Sequence, residues 1–332
     1  MDPCRYVEWM PGTYMPILRP RRGELTALHH LADADAHRVL PIIELQGERL
    51  MPLLKTLLPR TGIIAMDLAG RDLPLERAEE LAALGVAMLP VLRAHDSDRR
   101  LAENGLVARM HLKRAMLRLQ PHVDAVNPAA ATAATDRMLR GAGLDHERVD
   151  LVIDLAETAC VADADKVEER ARHVLRWARG WPWRSVSVAA GAMPPNLDDL
   201  PTDQPVRVGR LDARVWARLA EPGVGYADYG VTSPVRRIGV QHHRQLPTLR
   251  YTAERDWWIY RWARRGGRSD DRCHDLCRTL VSSAQWPAAG ARFSWGDAEI
   301  ARRARAAGGA GSAASWIAWA TSHHIAVVLN GR

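Results

Sequence analysis

The chain has 332 residues, 47% of them hydrophobic and 26% charged, a balance that excludes a disordered polymer and allows a large core without disulfides. No run of about 18 apolar residues occurs, so no membrane-crossing helix or membrane partner is expected. The opening Met1-Asp2-Pro3-Cys4-Arg5 lacks the apolar centre of a secretory signal, so the expected location is the cytoplasm. The net charge of +7 invites a nucleotide or nucleic-acid partner, but only three of the 46 basic residues are lysines (Lys55, Lys113, Lys166). With so much Ala and Gly, that bias reads as Arg codon usage in a GC-rich genome, and it weakens the case for a polyanion.

From Tyr14 to Gly230 short apolar runs ending in a polar residue alternate with amphipathic stretches, the pattern of parallel strands with crossover helices. Eight runs are expected to be strands. The first four are Pro16–Arg19, Val39–Glu44, Gly62–Asp67 and Val86–Arg93. The others are Leu106–Arg109, Val149–Asp154, Ser185–Ala190 and Gly223–Asp228. The fifth also reads as part of one long helix from Leu106 to Leu119. A helix is expected after Asn127-Pro128. The expected fold class is α/β, a (β/α)8 TIM-like barrel spanning residues 1–233; an open doubly wound sheet is the alternative. Four strands between Met15 and Ala94 match the tempo of a barrel, and no GxGxxG follows the first strand.

After Gly230 the pattern changes, and residues 234–332 are expected to form a mixed α+β C-terminal extension packed on the barrel. Pro234 to Pro247 is basic and loop-like. Leu249–Thr252 and Trp257–Arg261 read as short strands, Cys273–Ser282 and Gly296–Ala307 as helices, and Ile325–Leu329 as a closing strand. Seven of the twelve tryptophans lie between Trp257 and Trp319, which argues for firm packing rather than a loose tail.

Several stretches together resemble the beta-protein family, named after a bacteriophage T4 product. They are Tyr14–Leu28, Pro41-Ile-Ile-Glu44, Val149–Asp154, Ala227-Asp-Tyr-Gly230, Arg250-Tyr-Thr252, Phe293–Asp297 and Ser322-His-His-Ile325. The resemblance runs from about Tyr14 to Leu329. It implies a single layout in a phage or bacterial setting, beside genes of phage defence or mobile elements. It carries no reaction and no catalytic residue with it.

In a barrel the C-terminal strand ends share one mouth, where active sites lie. The expected ends carry Arg19, Glu44, Asp67, Arg93, Arg109, Asp154 and Asp228. Charged ends also occur simply where strands meet water, or as structural ion pairs. Glu44, Asp67, Asp154 and Asp228 are candidate catalytic carboxylates, dividing acid and base roles or holding a hard cation such as Mg²⁺. Arg19, Arg93 and Arg109 are candidate substrate-binding forks for phosphate or carboxylate. Arg21, with Arg19 and Arg22, precedes the expected first helix at Gly23-Glu24, a natural anion site. The loops with Gly191, and with Gly230, Thr232 and Ser233, stand where barrels often bind phosphate. His323 is a candidate general base, and His324, Tyr229, Arg250 and Tyr251 are candidate substrate-binding residues if the extension folds over the mouth. On a strand, His323 and His324 would point to opposite faces. Trp295 is expected to pack and Asp297 to cap the following helix.

Cys273 and Cys277 fall on one helix face, where packing is the expectation and a metal site with His274 the alternative. No HExxH, P-loop or nucleophile elbow is present. Three functions follow. One is an enzyme acting on a phosphate-bearing substrate, a nucleotide or nucleic acid, by hydrolysis or transfer. Another is a binding or sensor protein that engages a partner protein from a neighbouring defence gene. The third is a direct nucleic-acid binder, although the basic residues are dispersed along the chain.

Overall fold

A computed structural model describes residues 13–45, 50–68, 75–125, 127–158, 160–235, 246–263 and 269–331. Cys4 and residues 236–245 of the basic loop lie outside them. The first half of the fold runs β1 (Tyr14–Leu18), α1 (Arg22–His29), α2 (Asp33–Ala36), β2 (Ile42–Glu44), α3 (Leu50–Thr56), β3 (Ile63–Asp67), α4 (Leu75–Ala83), β4 (Ala87–Leu92), α5 (Asp98–Met110), β5 (Ala115–Leu119) and α6 (Pro128–Ala142). It continues with β6 (Val149–Glu157), α7 (Val161–Ala178), β7 (Ser185–Gly191), β8 (Gln204–Gly209), α8 (Leu211–Leu219) and β9 (Val224–Asp228). The last part comprises β10 (Thr248–Thr252), β11 (Asp256–Arg261), α9 (Ser269–Val281), α10 (Trp295–Ala304) and α11 (Ala313–Asn330).

Eight parallel strands close in the order β1-β2-β3-β4-β5-β6-β7-β9, and β9 returns to β1 with Tyr14 opposite Tyr226 and Pro16 opposite Asp228. The expected TIM-like barrel is therefore present. Strand side chains alternate between faces, and the alternation sorts the core. Met15, Ile17, Ile42, Ala65, Leu89, Val91, Met116, Val152, Ala189 and Ala227 pack together inside the cylinder. Their sequence neighbours Leu18, Ile43, Ile64, Met66, Met88 and Tyr226 pack outward, under the helices.

One expected strand is a helix. Leu106–Arg109 belongs to α5, whose buried residues Leu101, Asn104, Gly105, Val107 and Ala108 follow helical spacing while Leu106 is exposed. Gly105 lies where α5 crosses α6: a Cβ there would come within 2.0 Å of the Ala142 carbonyl oxygen. The true fifth strand is β5, fully buried, with Met116 opposite Val91 and Leu117 opposite Leu151. α6 follows Asn127-Pro128 as expected, and Asn127 caps it, accepting from Ala130 N at 2.9 Å.

The C-terminal part interleaves with the barrel. β8, which precedes the last barrel strand, pairs antiparallel with β11, and β11 with β10, in a three-stranded sheet. Ile325–Leu329 is not a strand; it is the end of the 18-residue helix α11. Ile325, Val328 and Leu329 pack with Tyr14, Leu25, Leu28 and Tyr226, so α11 covers the β9–β1 seam as the eighth barrel helix. A serine at each end of its first turn forms a reciprocal cap, Ser312 with Ser315. The tryptophans of this part are packing residues: Trp262, Trp316 and Trp319 share a core with Tyr251, Tyr260, Cys273 and Cys277. Trp295 stacks on His30 with ring centres 4.2 Å apart. Ser294, rather than Asp297, is the N-cap of α10, and Asp297 answers it by accepting from the serine hydroxyl at 2.6 Å.

Candidate active site at the barrel mouth

Continuing each inward row past the apolar core places one residue per strand at the mouth. These are Arg19, Glu44, Asp67, Arg93, Arg118, Asp154, Gly191 and Tyr229. Arg118 is the residue that sequence reasoning missed, and it is the centre of the site. It is 1% exposed and touches three carboxylates. Its Nη1 donates to Glu44 Oε1 and to Asp67 Oδ2, each at 2.7 Å. Its Nε and Nη2 make a fork onto Asp154 Oδ2 at 3.0 and 2.8 Å. Nη2 also donates to the Tyr229 hydroxyl at 2.8 Å, and that hydroxyl donates on to Asp154 Oδ1 at 2.8 Å. Arg93 meets the same Asp67 oxygen, with Nη2 2.7 Å and Nε 3.0 Å from Oδ2.

The backbone around Asp154 is built for this contact. β6 runs on past the rim through an irregularity between Asp154 and Glu157, where Ala156 adopts a left-handed φ of 54°. That conformation is costly for a residue with a Cβ and is held by its surroundings. It turns the Ala156 N–H onto Asp154 Oδ1 at 2.9 Å. On the next strand Gly191 leaves room for the tyrosine: a Cβ there would lie 2.9 Å from Tyr229 Cδ2 and 2.8 Å from Pro234 Cδ.

Burial pushes the Asp154 carboxyl up, and the Arg118 and Arg93 guanidinium groups, the Ala156 N–H and the Tyr229 hydroxyl more than offset it. The net position is below the ordinary carboxylate range, so Asp154 stays ionised at neutral pH. Burial and the neighbouring Asp154 raise the Tyr229 phenol well above its ordinary value, against Arg118, so it remains a proton donor. Glu44 is the carboxylate at the open edge, its side chain 13% exposed where Asp67 and Asp154 are sealed. The arrangement can therefore orient and neutralise through Asp67, Asp154 and the two arginines, and meet a ligand through Glu44.

The carboxylates are not arranged for Mg²⁺. Among the described residues no group of three or more His, Cys, Asp or Glu side chains stands together as metal ligands. Here the Arg118 guanidinium occupies the space between Glu44, Asp67 and Asp154 that a hard cation would need. Cys273 and Cys277 share one buried face of α9, where their thiols meet each other, and His274 turns to the Gly308 carbonyl.

Five expected site residues lie elsewhere. Arg109 ends α5 at the opposite end of the barrel from the mouth, bonded to the Ala142 carbonyl at 3.2 Å. Asp228 faces outward because its neighbours Ala227 and Tyr229 face in. It accepts from the Tyr14 and Tyr226 hydroxyls at 2.6 and 2.8 Å, from Gly230 N at 2.8 Å and from His324 Nε2 at 2.8 Å. His324 and His323 sit on a helix, so they are neighbours around it rather than on opposite faces. His324 reaches Asp228 and the Thr252 hydroxyl. His323 is sandwiched under Tyr251, 3.8 Å between ring centres, and bonds Asp297 Oδ2 at 2.9 Å. Tyr251 itself donates to Asp297 at 2.7 Å. These groups join α11 and the small sheet to the outside of the barrel wall, away from its mouth.

Arg19, Arg21 and Arg250 mark the rim between β1 and β9. Arg19 donates to the Ser233 and Val235 carbonyls at 2.7 and 3.3 Å, and Arg250 to the Val231 carbonyl at 3.0 Å. Arg21 is exposed just before α1. Thr232 closes the loop onto the Tyr229 carbonyl at 3.1 Å.

Among solved structures the chain is similar to triosephosphate isomerase from Bartonella henselae, at 13% identity and TM-score 0.34, over 66% of this chain and 94% of that one. It is also similar to the biosynthetic arginine decarboxylase SpeA from Campylobacter jejuni (12%, TM-score 0.41) and to the carboxyl transferase domain of Rhizobium etli pyruvate carboxylase (11%, TM-score 0.37). It covers 97% and 98% of its own length in these two matches, and about half of theirs, 57% and 50%. These likenesses say nothing of activity, and the barrel rests on the strand order itself. No curated protein matches the chain. No helix among the described residues is long and apolar enough to cross a membrane. The Beta protein family model matches residues 14–330, nearly the whole chain, and the protein belongs to that family.

Proposed function

We propose that this chain is an enzyme acting at the barrel mouth on a phosphate-bearing substrate, a nucleotide or nucleic acid. One observation carries the reading: five charged groups, Glu44, Asp67, Arg93, Arg118 and Asp154, are gathered at the end of the cylinder where barrel chemistry is done. Replacing a buried ion network by apolar side chains is often neutral or stabilising, so stability alone does not account for it. In this reading Glu44 accepts the proton of an attacking water or hydroxyl, the new bond forms at phosphorus, and the leaving oxygen departs. Arg93 and Arg118 face the charge that develops on the phosphoryl oxygens, and Asp154 keeps Arg118 and Tyr229 in place. The test is product release from a panel of nucleoside phosphates and short oligonucleotides. Glu44→Gln should lower turnover about 10²- to 10⁴-fold, the usual worth of a general base, with an unchanged melting temperature. Wild-type protein that turns over no member of the panel sinks the enzymatic reading.

The second reading is a non-catalytic binding or sensor protein of an anti-phage system in the cytoplasm. It is favoured by the mutual satisfaction of the carboxylates and guanidinium groups, which leaves the resting mouth complete in itself. Its mark is a ligand or partner protein that raises the melting temperature with no product formed.

A further inference from the structure

One buried acid lies outside the mouth network. Glu24, in the first turn of α1, is 1% exposed, and its carboxyl oxygens meet no partner in good hydrogen-bond geometry beyond the close approach of its own backbone N–H. On β10, Arg250 is close enough for its charge to act on Glu24, and it has its Nη1 on the Val231 carbonyl while its buried Nε has no partner. Each unmade bond to a buried polar group costs about 1–3 kcal/mol, so orphaned groups of opposite character at one place call for a bound molecule that completes both. The missing molecule must offer a donor or a shared proton to Glu24 and an acceptor to Arg250.

The surroundings narrow the chemistry. Arg21, Arg19 and Arg250 are the cations acting on Glu24. The first turn of a helix adds unbonded N–H groups and the positive end of its dipole. From α11, which packs on α1, the titratable groups His323 and His324 are turned to Asp297 and Asp228. From α3, Lys55 is paired with Glu80. The proton balance of the place is therefore that of Glu24 among three arginines, an excess of positive charge that selects an anion.

We propose that Glu24 and Arg250, with Arg21 at the rim, form a subsite for a phosphoryl group, held with one proton shared between Glu24 and a phosphoryl oxygen. The subsite rests on the reading of the mouth as the place of a phosphate-bearing substrate, and it holds a phosphoryl group other than the one that reacts before Arg93 and Arg118. A carboxylate repels a phosphate dianion unless a proton lies between them, and phosphate carries such a proton, with a second pKa of about 6. Burial pushes the Glu24 carboxyl up to about 7, against Arg21, Arg19 and Arg250, so the proton is nearly as well held on either oxygen. Sulfate is the same size and has no proton to share at neutral pH.

Calorimetric titration of the full chain with inorganic phosphate and with sulfate, between pH 6 and 8.5, tests this. Phosphate is expected to bind at least about tenfold more tightly than sulfate and to weaken as the pH rises. Arg250→Gln should cost phosphate about tenfold or more, the worth of a charge-assisted bond. Glu24→Gln, nearly isosteric and so safe for the fold, should flatten the pH dependence and narrow the gap between phosphate and sulfate. Equal binding of the two anions, untouched by Glu24→Gln, means an adventitious anion and overturns the subsite, as does no phosphate binding at all. Phosphate binding that survives both variants but is lost in Arg93→Gln overturns the subsite and keeps the mouth reading. Phosphate binding that changes as expected in both variants, in a protein without turnover, keeps the subsite and removes the enzyme.

Discussion

Asp228 and Tyr229 are adjacent in the chain and stand on opposite sides of one wall. Tyr229 points into the cylinder and completes the Arg118 network; Asp228 points out and binds Tyr14, Tyr226 and His324 under α11. Both networks are buried and charged, and both sit at strand ends. They differ in what lies beyond them. The outer one is sealed on every side by the barrel wall, the small sheet and a helix. The inner one opens at Glu44. Position at a strand end does not make a charged residue functional; facing inward at the open end is the further condition, and the two-residue period of a strand decides it.

Four substitutions break or sharpen this contrast, and the first should have the largest effect. Arg118→Met leaves three carboxylates together with only Arg93 to balance them, and should cost about 3–5 kcal/mol by denaturant unfolding at pH 7. The deficit should shrink toward pH 5, because protonated acids need no counter-charge. A wild-type melting curve would mean that the carboxylates are not held as described. Asp228→Ala should also cost about 3 kcal/mol, since it strands His324 and the Tyr14 and Tyr226 hydroxyls, yet any protein that folds should bind ligand as before.

Glu24→Gln should stabilise. The folded carboxyl is raised to about 7 from 4.5, so burying it is free below the unfolded value, increasingly costly between the two, and fully penalised above about pH 7. The gain should reach about 3 kcal/mol at pH 8 and vanish near pH 4.5, at 1.36 kcal/mol per unit. A gain that does not change with pH would show that the acid is not desolvated. Arg109→Ala should be the smallest, within about 0.5 kcal/mol, with no effect on any ligand, because Arg109 sits at the far end of the barrel on a single carbonyl.

Much of the barrel is legible in the sequence because buried parallel strands read as short Val, Ile and Leu runs; seven of the eight barrel strands fall where such runs stand. β5 is hidden by its own charge. Ala115-Met-Leu-Arg-Leu119 places a guanidinium in the middle of a buried strand, and with Lys113-Arg114 before it the stretch continues the helical spacing of α5. The readable signal was the compact apolar segment bounded by Gln120-Pro121. α11 was misread for the opposite reason: Ile325–Leu329 is β-branched, but it ends a helix buried on nearly all sides, where packing overrides propensity. Glu44, Asp67 and Arg93 are legible because each directly ends or follows its strand, and Asp154 because it closes the apolar run of β6 before the irregularity that carries the strand on to Glu157. Asp228 shares that position, and only the pairing with β1 reveals which way it faces.

The most direct test is a melting-temperature matrix of wild type, Arg93→Gln and His324→Ala against a panel of nucleoside phosphates. A ligand adds a stabilisation set by its concentration and affinity, largely independent of the starting stability. The account predicts that both variants melt lower, that His324→Ala gains the same increment as wild type, and that Arg93→Gln loses it. An increment kept by Arg93→Gln and lost by His324→Ala would place the working site on the outer wall.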